Sequence, residues 1–168
     1  MYTFKMKIDE LEKDIQRHKE RSPETFNEII NISVPFYMFH QKMFGGVCRL
    51  EEDNYQINHS ELDVLSSLKM SGNEDHILSP TKLQERLLFS GAALTKVLKK
   101  LEEKAYVIRL STKHDKRIKL VQLTDLGREV HDKVLKDVLS FEQRCFKSLS
   151  DEEKLTMKNL LTRMLKDF

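Results

Sequence analysis

The sequence predicts a mainly α-helical chain of the α+β class, with one small β-hairpin, and three observations predict it. Apolar residues recur at steps of three and four along most of the chain, the spacing of a single buried helix face. Two short runs break that rule: Tyr106–Leu110 and Ile118–Leu123 are rich in β-branched and aromatic residues and flank a polar tip, Ser111–Arg117, as two strands and their turn would. Glycine and proline are scarce, five and three in 168 residues, which leaves little room for long ordered loops.

From the start of the chain, Phe4, Ile8, Leu11 and Ile15 mark one stripe of a helix over residues 3–21. Ser22-Pro23 supplies a cap and a first-turn proline for a second helix. That helix carries Phe26, Ile29, Ile30, Phe36, Phe39, Met43, Phe44 and Val47 and closes in the polar run Glu51–Asn54, with Pro35 predicting a kink inside it. Ser60 with Asp63 is a capping-box spacing for a third helix, whose inner face is Leu62, Leu65 and Leu68 and whose stop is Ser71-Gly72-Asn73. Ser79-Pro80 opens a short helix with Leu83 and Leu87 inward, and Phe89-Ser90-Gly91 turns the chain into the next. There Leu94, Val97, Leu98 and Leu101 fall at i, i+3, i+4 and i+7 and must face a core.

Two short helices joined by a tight turn containing Gly are the helix-turn-helix pattern, and the hairpin that follows completes a winged helix-turn-helix. Thr124 then caps a long helix with Leu126, Val130, Val134, Val138, Phe141 and Cys145 on one stripe. Ser150 with Glu153 is a second capping box, opening a last helix with Leu155, Leu161, Met164 and Leu165. The winged lobe, residues 57–123, cannot cover all this apolar helical surface. The N-terminal helices (1–56) and C-terminal helices (124–168) are therefore expected to dimerise, a second copy being the simplest partner.

Charge locates the candidate site. Between Thr95 and Lys119 stand nine Lys or Arg against three acids, although the whole chain carries only +2. One positive segment on an otherwise slightly acidic chain is the footprint of a phosphate-backbone binder, and a helix followed by a basic hairpin can enter one groove and grip the neighbouring backbone. Opposite the apolar stripe the helix shows Ala92, Thr95, Lys96, Lys99 and Glu103. Its first turn, Ser90-Gly91-Ala92, has little side-chain bulk, and its N–H groups and positive dipole end favour an anion. The candidate DNA contacts are Ser90, Ala92, Thr95, Lys96, Lys99 and Lys100 on the helix, with Lys113, Asp115, Lys116 and Arg117 in the wing.

Other classes are excluded. A hydrophobic content of 39% argues against disorder, and 33% charged residues suit a soluble helical protein. No apolar run approaches the ~20 residues of a membrane span, and MYTFKMKIDELEKD has no apolar signal core, so a cytoplasmic protein with no membrane partner is expected. Cys48 and Cys145 are too few and too scattered for a secreted disulfide framework. The six histidines show no tight ligand spacing, so no metal site is assigned. No nucleophile elbow, Walker loop or paired catalytic carboxylate spacing occurs, so neither an enzyme nor a cofactor is expected.

The order of parts and several strings resemble the MarR family of multiple-antibiotic-resistance-type regulators, over roughly residues 24–166. The most specific are LTKVLKKLEEKAYVIR, Asp115-x-Arg117 and Leu123-Thr124-x-x-Gly127. The resemblance implies a homodimeric regulator that reads a pseudo-palindromic double-stranded operator, often a repressor relieved by a small ligand or by oxidation. It implies that Arg117 enters the minor groove, oriented by Asp115. It also implies a small-molecule effector cavity along the second helix, where Phe36, His40, Met43 and Phe44 are the candidates; the plainer reading of those side chains is dimer core. Two features depart from the pattern. Ala105 stands where the family usually has Gly, and residues 1–21 extend beyond the common start.

Two competing readings remain. The winged helix could dock an acidic protein rather than DNA. Alternatively, an oxidant- or metal-responsive regulator would use Cys48, Cys145 or distant histidines, but neither cysteine sits where the oxidant-sensing branch has its own. Both lie on largely apolar helix faces, where Cys is commonly a small buried hydrophobe.

Overall fold

The computed structural model describes residues 8–111 and 119–167. The wing tip with Lys113, Asp115, Lys116 and Arg117 lies outside the described residues. The chain forms two compact units, Met1–Val47 and Cys48–Phe168. No described helix is long and apolar enough to cross a membrane.

The first unit holds α1 (Ile8–Arg21) and the opening turns of α2 (Ile30–Tyr55), with Leu11 and Met38 buried. Ser22-Pro23 does not start the second helix. The Thr25 and Phe26 N–H groups bond back to the Ser22 and Pro23 carbonyls at 3.1 and 3.4 Å, making a turn. A proline preset to φ near −65° suits a turn as well as a first helical position. The helix begins later, after a second turn that Asn27 opens, its Oδ1 accepting the Ile29 N–H at 2.9 Å. α2 continues through Pro35; the bond forfeited there is the one that an N–H would give to the Asn31 carbonyl.

The second unit opens with a corrected cap. α3 (His59–Ser71) is capped by Asn58, whose side chain accepts the Glu61 N–H, rather than by Ser60. Ser60 and Asp63 have the right spacing two residues too late, and Asp63 instead approaches His59 Nε2 at 3.8 Å. Gly72 closes α3, its N–H bonding the Leu68 carbonyl.

The sequence predicts a two-stranded hairpin; the structure has three strands. β1 (Ile77–Leu78) pairs antiparallel with β3 (Lys119–Leu123), which pairs with β2 (Val107–Ser111), giving the order β1-β3-β2. Two residues are too short to show a period. What builds β1 is Asn73, whose Oδ1 accepts the Asp75 and Ile77 N–H groups at 3.2 and 2.9 Å and turns the chain onto the sheet edge.

α4 (Pro80–Leu87) is capped by Ser79, with Pro80 in its first turn, as the sequence predicts. α5 (Gly91–Glu103) starts at Ser90. The core gathers Val64, Leu65 and Leu68 of α3, Leu83 of α4, Leu94, Leu98 and Leu101 of α5, and Val107, Val121 and Leu123 of the sheet, with Leu87 and Val97 half-buried against it. Helix α6 (Asp125–Cys145) buries Gly127, His131, Val134 and Val138. Val134 and Val138 lie on the inner stripe as expected, but in the first two turns Gly127 and His131 take the inward positions, and Leu126 is 48% exposed. α7 (Asp151–Leu165) carries the expected Ser150–Glu153 capping box but buries none of its residues.

The junction between α5 and β2 explains two of the local strings. Ala105 has φ 57°, a left-handed conformation. Its N–H bonds the Glu102 carbonyl and the Tyr106 N–H bonds the Leu101 carbonyl, both at 2.9 Å, the paired bonds of a Schellman ending. Thr124 then donates its hydroxyl to the Ala105 carbonyl at 2.8 Å and accepts the Gly127 N–H at 2.9 Å. Gly127 is obligatory there, since a Cβ would stand 2.2 Å from the Tyr106 carbonyl oxygen.

Two substitutions at this junction should act in opposite directions. Ala105→Gly relieves a Cβ clash that costs roughly 1–2 kcal/mol in the left-handed region, less the ~0.4–1 kcal/mol by which Gly loosens the unfolded chain. Chemical denaturation should show a gain of about 0.5–1 kcal/mol on those two terms. Gly127→Ala should lose about 1–3 kcal/mol, the range for overpacking, because the obstacle is backbone. A loss for the first or no loss for the second would contradict this account of the turn.

Candidate nucleic-acid interface

Which side of α5 faces out follows from its apolar positions. Leu94, Leu98 and Leu101 are at most 2% exposed, and Ala92, Thr95, Lys96, Lys99 and Lys100 are all exposed on the other side. At the helix start, Ser90 spends its side-chain oxygen on the Ala93 N–H at 3.2 Å. The Gly91 and Ala92 N–H groups come before the first intrahelical bond and point out of that end, next to small side chains. Thr95 donates its hydroxyl to the Gly91 carbonyl at 2.8 Å, which leaves its oxygen to act as an acceptor.

The charges are less free than the sequence suggests. Lys104 Nζ donates to Glu61 Oε2 and to the Gln56 carbonyl, both at 2.6 Å, and Lys100 Nζ lies 3.6 Å from Glu61 Oε1. Arg109 Nε donates to both Glu102 carboxylate oxygens at 3.0 Å. Lys99 lies 3.8 Å from Glu103, with both side chains mostly in solvent. Among the described cations from Thr95 to Leu110, Lys96 alone has no ion pair. The spacing Asn58-x-x-Glu61 is a sequence signal for this arrangement, and it competes with Ser60-x-x-Asp63 two residues on.

Beside α5 lies a cleft of about 670 Å³. Its walls are Cys48, Arg49 and Glu52 of α2, His59 of α3, and Lys96 and Lys100 of α5. Beneath it, buried Glu51 accepts from or pairs with His59 Nδ1 at 2.9 Å through Oε1, and its Oε2 has no partner. Burial, and secondarily the Glu51 charge, push the Cys48 thiol above its ordinary pKa. That is the opposite of what a reactive thiolate needs. Cys145 is half-buried at the end of α6.

α6 is fastened to this lobe by polar contacts. Buried His131 meets Ser66 Oγ at 3.1 Å and Asp132 Oδ1 at 3.0 Å. Lys69 also pairs with Asp132, and hydrogen bonds from Lys69 and then His131 hold that carboxyl below the usual range. The Tyr55 hydroxyl donates to Asp137 at 2.7 Å.

The four effector candidates lie on α2 in the first unit. The His40 and Phe44 rings stack at 5.6 Å, and Phe36 meets Tyr37 edge-on at 6.0 Å. Phe36, His40 and Phe44 are exposed and Met43 is half-buried. The cavity described in that unit, about 390 Å³, is lined instead by Leu11, Ile15, Asn31, Pro35, Met38 and Phe39, with Glu12 and Lys42. Among the described residues no group of three or more His, Cys, Asp or Glu side chains is placed to hold a metal ion.

A family model described as MarR family matches residues 55–118. The multiple antibiotic resistance protein MarR of Salmonella typhimurium is 31% identical over 148 residues, 83% of this chain and 94% of that protein. The HTH-type transcriptional regulator PecS of Dickeya dadantii is 29% identical over 112 residues, 67% of each. A crystal structure of a MarR mutant from E. coli complexed with operator DNA superposes with a TM-score of 0.67 at 29% identity, covering 84% of this chain and 98% of that one.

Proposed function

The chain belongs to the MarR family of winged-helix, DNA-binding transcription regulators, and from that premise we propose that it acts as a homodimeric repressor whose hold on a pseudo-palindromic operator is relieved by a small-molecule effector. The observation that carries the DNA part is the outward face of α5, with Thr95, Lys96 and Lys99 in solvent opposite buried Leu94, Leu98 and Leu101. That face presents one unpaired cation, one weakly paired cation and a hydroxyl acceptor at a helix whose narrow start can approach a base edge. The wing, through Arg117 and Asp115, adds a minor-groove contact that senses groove width. A protein-docking module would instead need an acidic partner, and no observation on this face favours one.

The homodimer rests on α7, where Leu155, Leu160, Met164 and Leu165 are each at least 45% exposed. A helix that buries nothing within its own chain is covered most simply by a second copy. The effector reading rests on Phe36, His40, Met43 and Phe44, an aromatic and thioether surface suited to a small apolar or aromatic molecule. Such a ligand must bind the DNA-incompetent form more tightly, and DNA must weaken its binding by the same factor.

Sedimentation at micromolar concentration should show a dimer, and a stable monomer would reject the assembly. On a duplex selected from a random library, Lys96→Ala should weaken binding by ~1–3 kcal/mol if it reads a base, with relaxed preference at one position. If Lys96 and Lys99 can both be replaced by Ala with no change in affinity, the assigned face is wrong.

A further inference from the structure

Glu61 belongs to none of the contacts expected of a DNA reader, yet three separate parts of the lobe meet at its carboxylate. Its side chain is 1% exposed. Oε2 takes the Lys104 ammonium at 2.6 Å; Oε1 accepts from Asn58 Nδ2 at 3.1 Å and lies 3.6 Å from Lys100 Nζ. Lys104 also donates to the Gln56 carbonyl at 2.6 Å. The last turn of the recognition helix α5, the turn that ends α2 and the cap of α3 are thus tied at one point. Lys100 lies in the last turn of α5 and Lys104 is its C-cap, four residues on, so the tie fixes the helix against rotation as well as sliding.

The charge count matters too. Two lysines share one carboxylate, so this corner of α5 offers DNA one net positive charge instead of two. A buried carboxylate cannot leave its lysines when phosphate arrives, because it would remain as an unpaired charge in the interior.

We propose that Glu61 is a positioning residue for DNA recognition, which fixes the C-terminal half of α5 and withholds one positive charge from the DNA surface, lowering affinity for random duplex in favour of the operator. This rests on the DNA-binding reading above. The carboxylate touches no base. It acts through Lys104 and Lys100, and a charge held back from the phosphates weakens every duplex alike while a fixed helix angle favours one sequence.

Two probes serve the test: a duplex selected by the wild-type protein from a random library, and a scrambled duplex of the same composition. Affinities are measured across a salt series. Glu61→Gln keeps the side-chain shape and should tighten binding to the scrambled duplex, steepen the slope of log K against log salt by about one unit, and lower the preference for the selected duplex several-fold. Lys104→Gln should shallow the slope by about one unit and lower the preference as well. The double variant restores the wild-type charge count, so its slope should return while its preference stays low. If preference returns with the slope, charge alone matters and positioning is overturned. An unchanged slope in Glu61→Gln, or an equal fold-change on both duplexes, also overturns the proposal. Should Glu61→Gln fail to fold, as circular dichroism would show, Lys104→Gln decides: preference kept at the wild-type ratio overturns it. A wild-type protein that binds neither duplex would instead sink the DNA reading itself.

Discussion

The burial of Leu94, Leu98 and Leu101 is the constraint on which the rest of the second unit depends. Each is at most 2% exposed, and fully burying such a side chain contributes about 1.5–3 kcal/mol. Turning α5 by a third of a revolution would give up several kcal/mol, more than any surface ion pair on the helix could return. The apolar stripe therefore decides, before any charge does, that Thr95, Lys96 and Lys99 look outward. It also places the last turn of α5 over the core, where the Ala105 ending must deliver the chain into β2 without a gap.

That ending links the sheet to α6. The Tyr106 carbonyl sits where a Cβ of Gly127 would be, and Thr124 bridges the same turn to the start of the helix. The string Leu123-Thr124-x-x-Gly127 is thus a packing device: a buried leucine, a cap and a residue small enough to admit a carbonyl. Because α6 is pinned there and again through His131, Ser66, Lys69 and Asp132, the angle of α6 and the position of the recognition helix are set by one continuous set of contacts in this unit.

The helices, their inward faces and the outward face of α5 were legible in the sequence because each rests on a periodic pattern of several residues. What the sequence hid was local and polar. The Ser22-Pro23 pair fits a turn as well as a helix start, and only the Asn27 bond to Ile29 separates the two. The cap at Asn58 competed with an equally good spacing at Ser60. β1 is two residues long and exists because Asn73 bends the chain onto an edge already formed by β3. On α6 Val134 and Val138 face inward as their spacing predicts, but the first two turns bury Gly127 and His131 rather than Leu126 and Val130, and neither looks like a core residue in a hydrophobicity pattern. The candidate wing residues Lys113, Asp115, Lys116 and Arg117 fall outside the described residues.

The net charge of the basic segment is where sequence and structure differ most in meaning. Counted along the chain, Lys99, Lys100, Lys104 and Arg109 are equivalent. Their partners make them unequal. Lys99 and Glu103 are largely in water at 3.8 Å, an association worth about 0.3–0.5 kcal/mol, which a phosphate can replace at almost no cost. Arg109 shares its one Nε–H between the two Glu102 carboxylate oxygens, and with side chains 28% and 33% exposed this charge-assisted pair has more to lose than Lys99 and Glu103. Lys104 faces a carboxylate with 1% exposure; removing one member of a buried pair costs about 3–5 kcal/mol, so it stays home. A phosphate backbone approaching α5 would therefore meet Lys96 first, recruit Lys99 easily and draw Lys100 only in part. The reading surface is narrower than the run of basic residues, and its width is set by the acids that hold the other cations, Glu61 of α3 and Glu102 of α5 itself.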